Sequence, residues 1–262
     1  MHIPILMYHE IYRIEEFQVL KGLTNPAYNT EVSSFQKQMT WLYENNFKTF
    51  SVEELLSKNS TAGEKAICLT FDDGWVGNYR NAYPILKEKG FKATFFVATG
   101  LIGKPFYMTW DQLAEMHASG MSIQSHSVSH RHLGTLNEKD LLFELLESKK
   151  IIEKSLSCEV RHLSLPHGHK GDKIWALAED MGYQSVCTSD VGFHVPGMPG
   201  PWIKRISVGD GISESQFRLM TQGKNRAIRG MIFTKGVKNI LRGIVGMKNY
   251  RKLYQRIYAE KV

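Results

Sequence analysis

Two pairs of side chains in this sequence have the types and the spacing needed for metal-assisted hydrolysis. Asp72 and Asp73 end an apolar run in ICLTFDDGW, and His126 and His130 stand four residues apart in SHSVSHRH. One helical turn would place both imidazoles on the same side. Two histidines and a carboxylate form the ligand set of a catalytic divalent metal that keeps positions open for water and substrate. Such a metal activates water and polarises a carbonyl, and the second carboxylate is then available as a general base.

Each pair also has a plainer interpretation. The DDG stretch is consistent with an Asx-type surface turn that stops a strand. An HxxxH pair among ten histidines is consistent with coincidence. Successive strand side chains point to opposite faces, so two adjacent carboxylates share one cleft only where the strand has ended. Gly74 permits that change of direction, and the elements around the two pairs must decide between the interpretations.

Alternating strand and helix patterns surround the two pairs. The pattern predicts strands at 3–8, 66–71, 92–97, 121–125, 161–165 and 183–188, and helices at 78–89, 109–118, 137–156 and 172–181. Strands separated by single helices, with glycine after several helices, are typical of repeated βα units and a parallel sheet. We therefore expect an α/β fold, a distorted or incomplete (β/α) barrel of about seven units with a basic C-terminal helical tail.

Chemically capable side chains follow several of these predicted strands. In a parallel α/β barrel, functional groups collect at the C-terminal ends of the strands. Besides the two pairs, these positions hold His9, His167 and Asp190. The remaining histidines are expected to pack or to lie at the surface. The three cysteines, at wide spacing and without a paired-thiol motif, are expected to be free thiols.

The TFDDG stretch, followed by HSVSH and then a strand that ends in a Pro-containing turn, resembles the NodB-homology polysaccharide deacetylases of carbohydrate esterase family 4. The resemblance spans roughly residues 66–190. It implies a hydrolase that removes N-acetyl groups from N-acetylhexosamine residues of a glycan and releases acetate. It also implies that Asp72 is the catalytic base, and that Asp73, His126 and His130 bind a divalent metal, with Zn²⁺ the expected ion.

The general acid of the family is not in its usual place, because no histidine follows His194 in this chain. The stretch ILMYHEI at 5–11 resembles the early position of this motif in the circularly permuted branch that deacetylates poly-N-acetylglucosamine. The resemblance implies that His9 protonates the departing amine. The alternative is that His9 is only a polar residue at a strand end.

The third family motif also departs from its usual form, since it reads SLPHG at 164–168 and contains neither the usual arginine nor the usual tyrosine. Loss of the arginine removes the usual partner that orients the base. If the motif supplies a backbone N–H to the oxyanion, His167 still serves through its main chain. A side-chain role for His167 or His169 is left open. Asp190 stands where the family has an acid that tunes the catalytic histidine, and a plain turn is an equal alternative.

The positive charge is concentrated at the C-terminal end. Residues 218–262 contain twelve Lys/Arg and one Glu, a balance of +11, so the net charge of +7 leaves −4 for residues 1–217. We therefore divide the chain into a catalytic domain at 1–217 and a basic amphipathic extension at 218–262. The extension is consistent with helices packed on the domain, with a binding element for an anionic membrane surface, or with a nucleic-acid patch. No nucleic-acid motif accompanies the charge, so no nucleic-acid partner is expected.

The N-terminal stretch MHIPILMYHEIYR lacks the basic start, long apolar region and cleavage site of a secretory signal. This predicts a cytoplasmic protein or one peripheral to the inner membrane face; a chain that had lost a leader would instead be extracytoplasmic. Two rival functions stay open. One is a catalytically dead glycan-binding domain, suggested by the missing arginine. The other is an amidase, deformylase or deacetylase that acts on a small or lipid-linked sugar at the inner membrane face.

Overall fold

The computed structural model describes residues 2–20, 22–57, 65–168 and 170–245. The strands in these ranges are β1 (Ile5–Tyr8), β2 (Ile11–Tyr12), β3 (Thr30–Glu31), β4 (Lys48–Phe50), β5 (Ala66–Phe71), β6 (Thr94–Val97), β7 (Ser122–Ser125), β8 (His162–Ser164), β9 (Ser185–Val191) and β10 (Trp202–Ser207). The α-helices are α1 (Phe17–Leu20), α2 (Val32–Glu44), α3 (Val52–Ser57), α4 (Tyr83–Glu88), α5 (Trp110–Ala118), α6 (Glu138–Leu156), α7 (Asp172–Asp180), α8 (Glu214–Thr221) and α9 (Asn225–Val245).

Seven parallel strands close into a barrel, in the order β1, β10, β9, β8, β7, β6, β5 and back to β1. β4 pairs with the first half of β5, while β2 and β3 form a small separate sheet. The predicted α/β barrel of about seven units is confirmed. Closure pairs Tyr8 with Phe71, and the N–H of Asp72 then donates to the Tyr8 carbonyl at 3.0 Å. The loops that carry His9 and the two aspartates therefore leave the barrel side by side.

Strand side chains alternate between two apolar layers, because successive residues point to opposite faces. One cluster fills the barrel interior and includes Ile5, Cys68, Phe96, Cys187 and Ile203. The other lies between the barrel and its helices and includes Leu6, Leu69, Phe95, Val186 and Ile206. Arg205 lies two residues after Ile203, and its guanidinium sits 5.6 Å from the centre of the Phe96 ring. The interior thus becomes polar toward the C-terminal ends of the strands.

The observed elements differ from the sequence expectations in two places that matter for the site. The helix expected at 78–89 begins as a π-helix, Asn78–Ala82, before it continues as α4. Strand β10 was not predicted, because the connection from β9 contains no helix and the search relied on strand and helix alternation. π-Helical turns are rare and are found often at functional sites.

The C-terminal helices begin on the barrel domain. Phe217 and Met220 of α8 and Ile228 of α9 are buried in the main core. Residues 246–262 of the predicted extension lie outside the described residues, and the boundary at 217 stays a prediction. Within the part of the chain that the structure describes, no helix has the length and apolarity required to cross a membrane.

Gly77 lies where the segment after β5 closely approaches the segment after β1, and its substitution tests that approach. A Cβ at this position would lie 2.2 Å from the Ile11 carbonyl oxygen, and the Glu10 carboxylate is also in contact. We expect Gly77→Ala to lower the free energy of unfolding by about 2 kcal/mol, because backbone cannot yield as a flexible side chain does. Urea unfolding measures this loss. Gly211→Ala is the control, since an added Cβ there meets nothing within 4 Å, and equal midpoints for both variants would contradict the packing.

Candidate active site

The turn that follows β5 separates the two adjacent carboxylates. Asp72 continues the inward side of β5, whereas Asp73 and Gly74 both adopt left-handed backbone, with φ of 75° and 90°. Gly74 meets this requirement without cost, and a Cβ there would also lie 2.9 Å from the Ile102 side chain. An aspartate at positive φ is strained, and such strain is commonly found at functional sites. Asp72 therefore stays buried in the barrel while Asp73 turns to its rim.

His126 and His130 come together through turns, and the helical turn that the sequence suggested is wrong. Residues 126–132 contain no helix, and Ser127 and His130 have φ of 66° and 57°. The two imidazole centres lie 4.9 Å apart. Glu144 of α6 holds this loop by accepting the N–H groups of Val128 and Ser129, both at 2.8 Å. A buried carboxylate on a helix thus fixes the loop on which both histidines lie.

Three ligand atoms converge on one point at the rim. Nε2 of His126 lies 3.2 Å and Nε2 of His130 lies 3.1 Å from Oδ1 of Asp73. These residues form the His/Asp cluster that the described part of the chain offers to a metal ion. Tetrahedral zinc with bonds of about 2.0–2.1 Å would separate its ligand atoms by about 3.3 Å. The observed separations fit such an ion.

Hydrogen bonding gives an independent argument for a cation at this point. Nδ1 of His126 donates to the Ser164 carbonyl at 2.8 Å, so a neutral ring would direct the lone pair of Nε2 toward Asp73. Apart from the two ring nitrogens that face it, the buried Oδ1 of Asp73 has no hydrogen-bond partner among the described residues. A lone pair that faces a carboxylate oxygen is repulsive unless a positive charge lies between them. The residues present therefore fit a divalent metal.

The other oxygen of Asp73 is held by a tryptophan. Trp75 Nε1 donates to Asp73 Oδ2 at 2.9 Å, and the Trp75 ring stacks on Tyr107 with centroids 4.5 Å apart. Burial acts to raise the pKa of Asp73, but His126 and His130 outweigh it and hold that pKa well below its usual range. Asp73 is thus an oriented, ionised carboxylate. Among the histidines, burial acts against protonation of His130, yet Asp73 raises the net pKa of its ring.

Arg205 of β10 clamps the buried Asp72. Its Nη1 and Nη2 donate to Oδ1 and Oδ2 of Asp72, each at 2.7 Å, and Ser164 Oγ donates to Oδ2 at 3.0 Å. The remaining guanidinium protons reach Thr70 Oγ1, Ser164 Oγ and the Thr188 carbonyl. All five N–H donors of an arginine can be satisfied in this arrangement. Burial acts to raise the pKa of Asp72, but the charge of the Arg205 guanidinium outweighs burial and holds that pKa below its ordinary value.

Sequence reasoning missed Arg205, and the expectation that Asp72 lacks an arginine partner is wrong. The arginine comes from β10, and it lies 41 residues after Ser164 at the start of the SLPHG motif. One signal was available. The stretch WIKRIS alternates along a strand, and it places a full positive charge on the same side as Ile203, where a buried charge requires a partner.

His9 lies half-buried beyond β1, with its ring stacked on Tyr28 at a centroid distance of 4.7 Å. Its Nδ1 has no hydrogen-bond partner among the described residues. Burial lowers the pKa of His9 below its ordinary value, while Asp73 and Asp72 act to raise it. The structure thus places His9 among the charges of the two aspartates, and its role as the acid stays a prediction.

The other predicted residues lie near the same rim. His167 has φ of 62°, and its ring centre lies 5.0 Å from that of His130. Asp190 forms an ion pair with Lys170, with Nζ and the carboxylate 2.8 Å apart. His169 lies outside the described residues. The proposed parts of His167 and Asp190 stay predictions.

A cavity of about 310 Å³ lies at the opposite end of the barrel and contains no residue of this cluster. Its wall includes Glu53 and Arg161, which pair at 2.7 Å. Glu53 also bonds the buried His162, and His162 in turn bonds Ser185. These groups are satisfied by one another, and the N-terminal end of a (β/α) barrel usually serves stability. The candidate active site is therefore the cluster at the C-terminal end.

Comparisons with known proteins agree with this placement. The family model described as polysaccharide deacetylase matches residues 59–186. YxkH of Bacillus subtilis, a protein assigned to the polysaccharide deacetylases, is 32% identical over 82% of this chain and 74% of its own length. The poly-beta-1,6-N-acetyl-D-glucosamine N-deacetylase of Staphylococcus aureus (strain MRSA252) is 25% identical over 70% of this chain and 69% of its own length.

A solved structure gives the same result at the level of the fold. The Streptococcus pyogenes deacetylase PplD, determined in complex with acetate, superposes with a TM-score of 0.75 at 29% identity. The match covers 85% of this chain and 98% of that one. Sequence and structure comparisons therefore lead to the same family, and the resemblance inferred from TFDDG and HSVSH is confirmed.

The Arg205 clamp makes a prediction about stability. Arg205→Met leaves the buried Asp72 charge without a partner, so we expect a loss of about 3–5 kcal/mol in the free energy of unfolding. Adding Asp72→Asn to Arg205→Met should restore much of that loss, because the unpaired charge is gone. Urea unfolding of the single and double variants measures the coupling.

A matched control comes from Arg161, whose guanidinium also pairs with a carboxylate at 2.7 Å but whose side chain is 38% exposed. Arg161→Met should cost far less than Arg205→Met, because solvent screens an exposed ion pair. Equal costs for the two arginine variants, or no recovery in the double variant, would contradict a buried charge pair.

Proposed function

The chain belongs to the polysaccharide deacetylase family, and we propose that it is a metal-dependent hydrolase that removes N-acetyl groups from N-acetylhexosamine residues of a glycan and releases acetate. The observation that carries this proposal is the convergence of His126, His130 and Asp73 beside a clamped, ionised Asp72. A metal ligand set and a base at adjacent positions are what hydrolysis of an unactivated amide requires.

We assign the ligands as Asp73 Oδ1 and the Nε2 atoms of His126 and His130, with Zn²⁺ as the expected ion. When bound, a divalent ion would lower the pKa of water at the site and polarise the acetyl carbonyl. The chain prepares its ligands for this. Ser164 fixes the tautomer of His126 through its carbonyl, and Trp75 fixes the second oxygen of Asp73.

Asp72 takes the proton of the attacking water at a carboxylate oxygen. The bidentate clamp of Arg205 fixes the plane of the carboxylate, and Ser164 limits its rotation. Because the pKa of Asp72 is held below its ordinary value, the base is ionised at neutral pH before substrate arrives. The same clamp makes Asp72 a weaker base, so its contribution rests on position as well as on basicity.

His9 gives a proton to the departing amine, and the backbone N–H of His167 donates to the oxyanion. Amine expulsion requires a proton because a free amide anion is a very poor leaving group. Backbone donors aimed at a developing oxyanion contribute a large share of the rate in acyl-transfer enzymes.

The proposed substrate class is inferred from the substrates that appear in the names of the relatives. The Staphylococcus aureus relative is named for poly-beta-1,6-N-acetyl-D-glucosamine, and this likeness supports an N-acetylglucosamine polymer or oligomer for the present chain. The alternative function, a catalytically dead glycan-binding domain, was suggested by the arginine missing from the third motif. That argument no longer holds, because Arg205 supplies the guanidinium that binds Asp72. A small or lipid-linked sugar is kept as an outcome of the substrate test.

The metal is tested by elemental analysis of protein purified without chelator and resupplied with zinc. We expect about one divalent ion per chain in the wild type and its loss in Asp73→Ala and His126→Ala, since three protein ligands are the minimum of such a site. His117→Ala, on α5, is the control and should keep the ion. Equal metal content in all four proteins would remove these residues from the ligand set.

The reaction is tested by acetate release from β-1,6-linked and β-1,4-linked N-acetylglucosamine oligomers. Asp72→Asn should lower the rate by at least about 100-fold and keep the metal, because it removes only the base. His9→Ala should slow acetate release by about 100-fold or more with normal metal content. His117→Ala again serves as the control.

Full activity in Asp72→Asn or His9→Ala would contradict the role of that residue. Metal-loaded wild type that releases no acetate from either oligomer would contradict the polymer substrate. Release from a lipid-linked N-acetyl sugar under those conditions would identify the rival reaction.

A further inference from the structure

The last described helix changes its surroundings along its length. α9 starts by packing on the domain, where Ile228 is 1% exposed and Ala227 and Met231 contact the main core. Phe233 lies about 140° around the helix from Ile228, since each residue advances about 100°. It is 74% exposed, and its neighbour Ile232 is 48% exposed. Ile228 and Ile232 lie one turn apart on the helix, yet the structure buries the first and exposes the second.

The exposed side of α9 continues as an apolar stripe in the sequence. Positions 237, 240 and 244 lie within about 40° of Phe233 around the helix, and they hold valine and two isoleucines. Lysine and arginine at 235, 238 and 242 fall on the opposite side. By its sequence, the second half of α9 is therefore amphipathic, with its apolar positions in line with Phe233.

The charge of this helix is of one sign. Residues 225–245 contain five Lys/Arg and no Asp or Glu. Arg226 and Arg229 are exposed, and they lie on the same side of the helix as Phe233, one to two turns before it. Phe233 and the two guanidinium groups thus form one exposed surface that is both apolar and cationic.

We propose that the exposed side of α9 binds the surface of an anionic lipid bilayer, with Phe233 entering the interface and Arg226 and Arg229 contacting lipid headgroups. Charge complementarity decides the partner. An anionic bilayer satisfies both the cations and the apolar stripe, and helices of this composition lie in the plane of the interface. A second copy of the chain would bring two +11 segments together, and a nucleic acid would leave the apolar stripe exposed.

The inference is independent of the deacetylase proposal, because vesicle binding is measured without turnover. The full-length chain is mixed with vesicles of phosphatidylcholine alone and with vesicles that contain phosphatidylglycerol, and bound protein is measured by flotation. We expect binding to the anionic vesicles and little to the neutral ones. Raising the salt concentration should weaken it, because exposed charges are screened.

Point variants locate the surface without removing the helix. Phe233→Ser should weaken the partition by about tenfold, from the loss of one inserted aromatic side chain. Arg226→Gln with Arg229→Gln should weaken it by roughly 30-fold, at about 1 kcal/mol per cation. Phe143→Ser on α6 is the matched control, because Phe143 is 55% exposed and belongs to another surface. That control should bind as the wild type does.

Three results would overturn the proposal. They are equal binding to neutral and anionic vesicles, no vesicle binding at all, and equal loss in the Phe233 and Phe143 variants. Light scattering after size exclusion tests the competing occupant. A dimer that Phe233→Ser converts to a monomer would assign the surface to a second copy instead.

Discussion

The buried ion pair between Asp72 and Arg205 is the interaction on which the site depends. A carboxylate this deep in a barrel is costly unless a partner neutralises it and its lone pairs are satisfied. Arg205 does both, and its five donors are used within the barrel interior. The pair spans β5 and β10, which are neighbours of β1 on its two sides, so closure of the barrel and assembly of the base are one event. If the barrel stayed open between β1 and β10, the charges of Asp72 and Arg205 would both lack a partner.

The rim of the site is built from strained turns that packed elements hold in place. Asp73, Ser127, His130 and His167 all have positive φ, a conformation that costs non-glycine residues about 1–3 kcal/mol each. Trp75 holds Asp73, and Glu144 of α6 holds the histidine loop. The strained turns bring together at one point the candidate ligand atoms, which lone-pair repulsion would otherwise keep apart. A bound cation would offset that repulsion, so the metal and the turns stabilise each other.

The sequence predicted the parts of this structure that depend on local patterns. Strand β5 has the bounds expected from its apolar run, and Asp72, Asp73, His126 and His130 were singled out by type and spacing. Arg205 was not predicted, because it contacts Asp72 only when the barrel closes, across a separation of 133 residues in the sequence. The backbone geometry of HSVSH was not predicted for a related reason. Its left-handed turns are imposed by Glu144 from a later helix, and no local propensity of Ser127 or His130 demands them.

The surroundings of His9, the proposed acid, affect in opposite ways how often it carries a proton and how readily it gives that proton up. Burial lowers the pKa of His9, so a smaller fraction of molecules carries its proton at neutral pH, and a bound cation at Asp73 would lower that fraction further. A less basic imidazole, however, gives up its proton more readily to the departing amine. The two aspartates oppose the effect of burial and keep protonation within reach. In the proposed reaction, the carboxylates at 72 and 73 would therefore act at both ends, since they would hold the metal and the water on one side and tune the acid on the other.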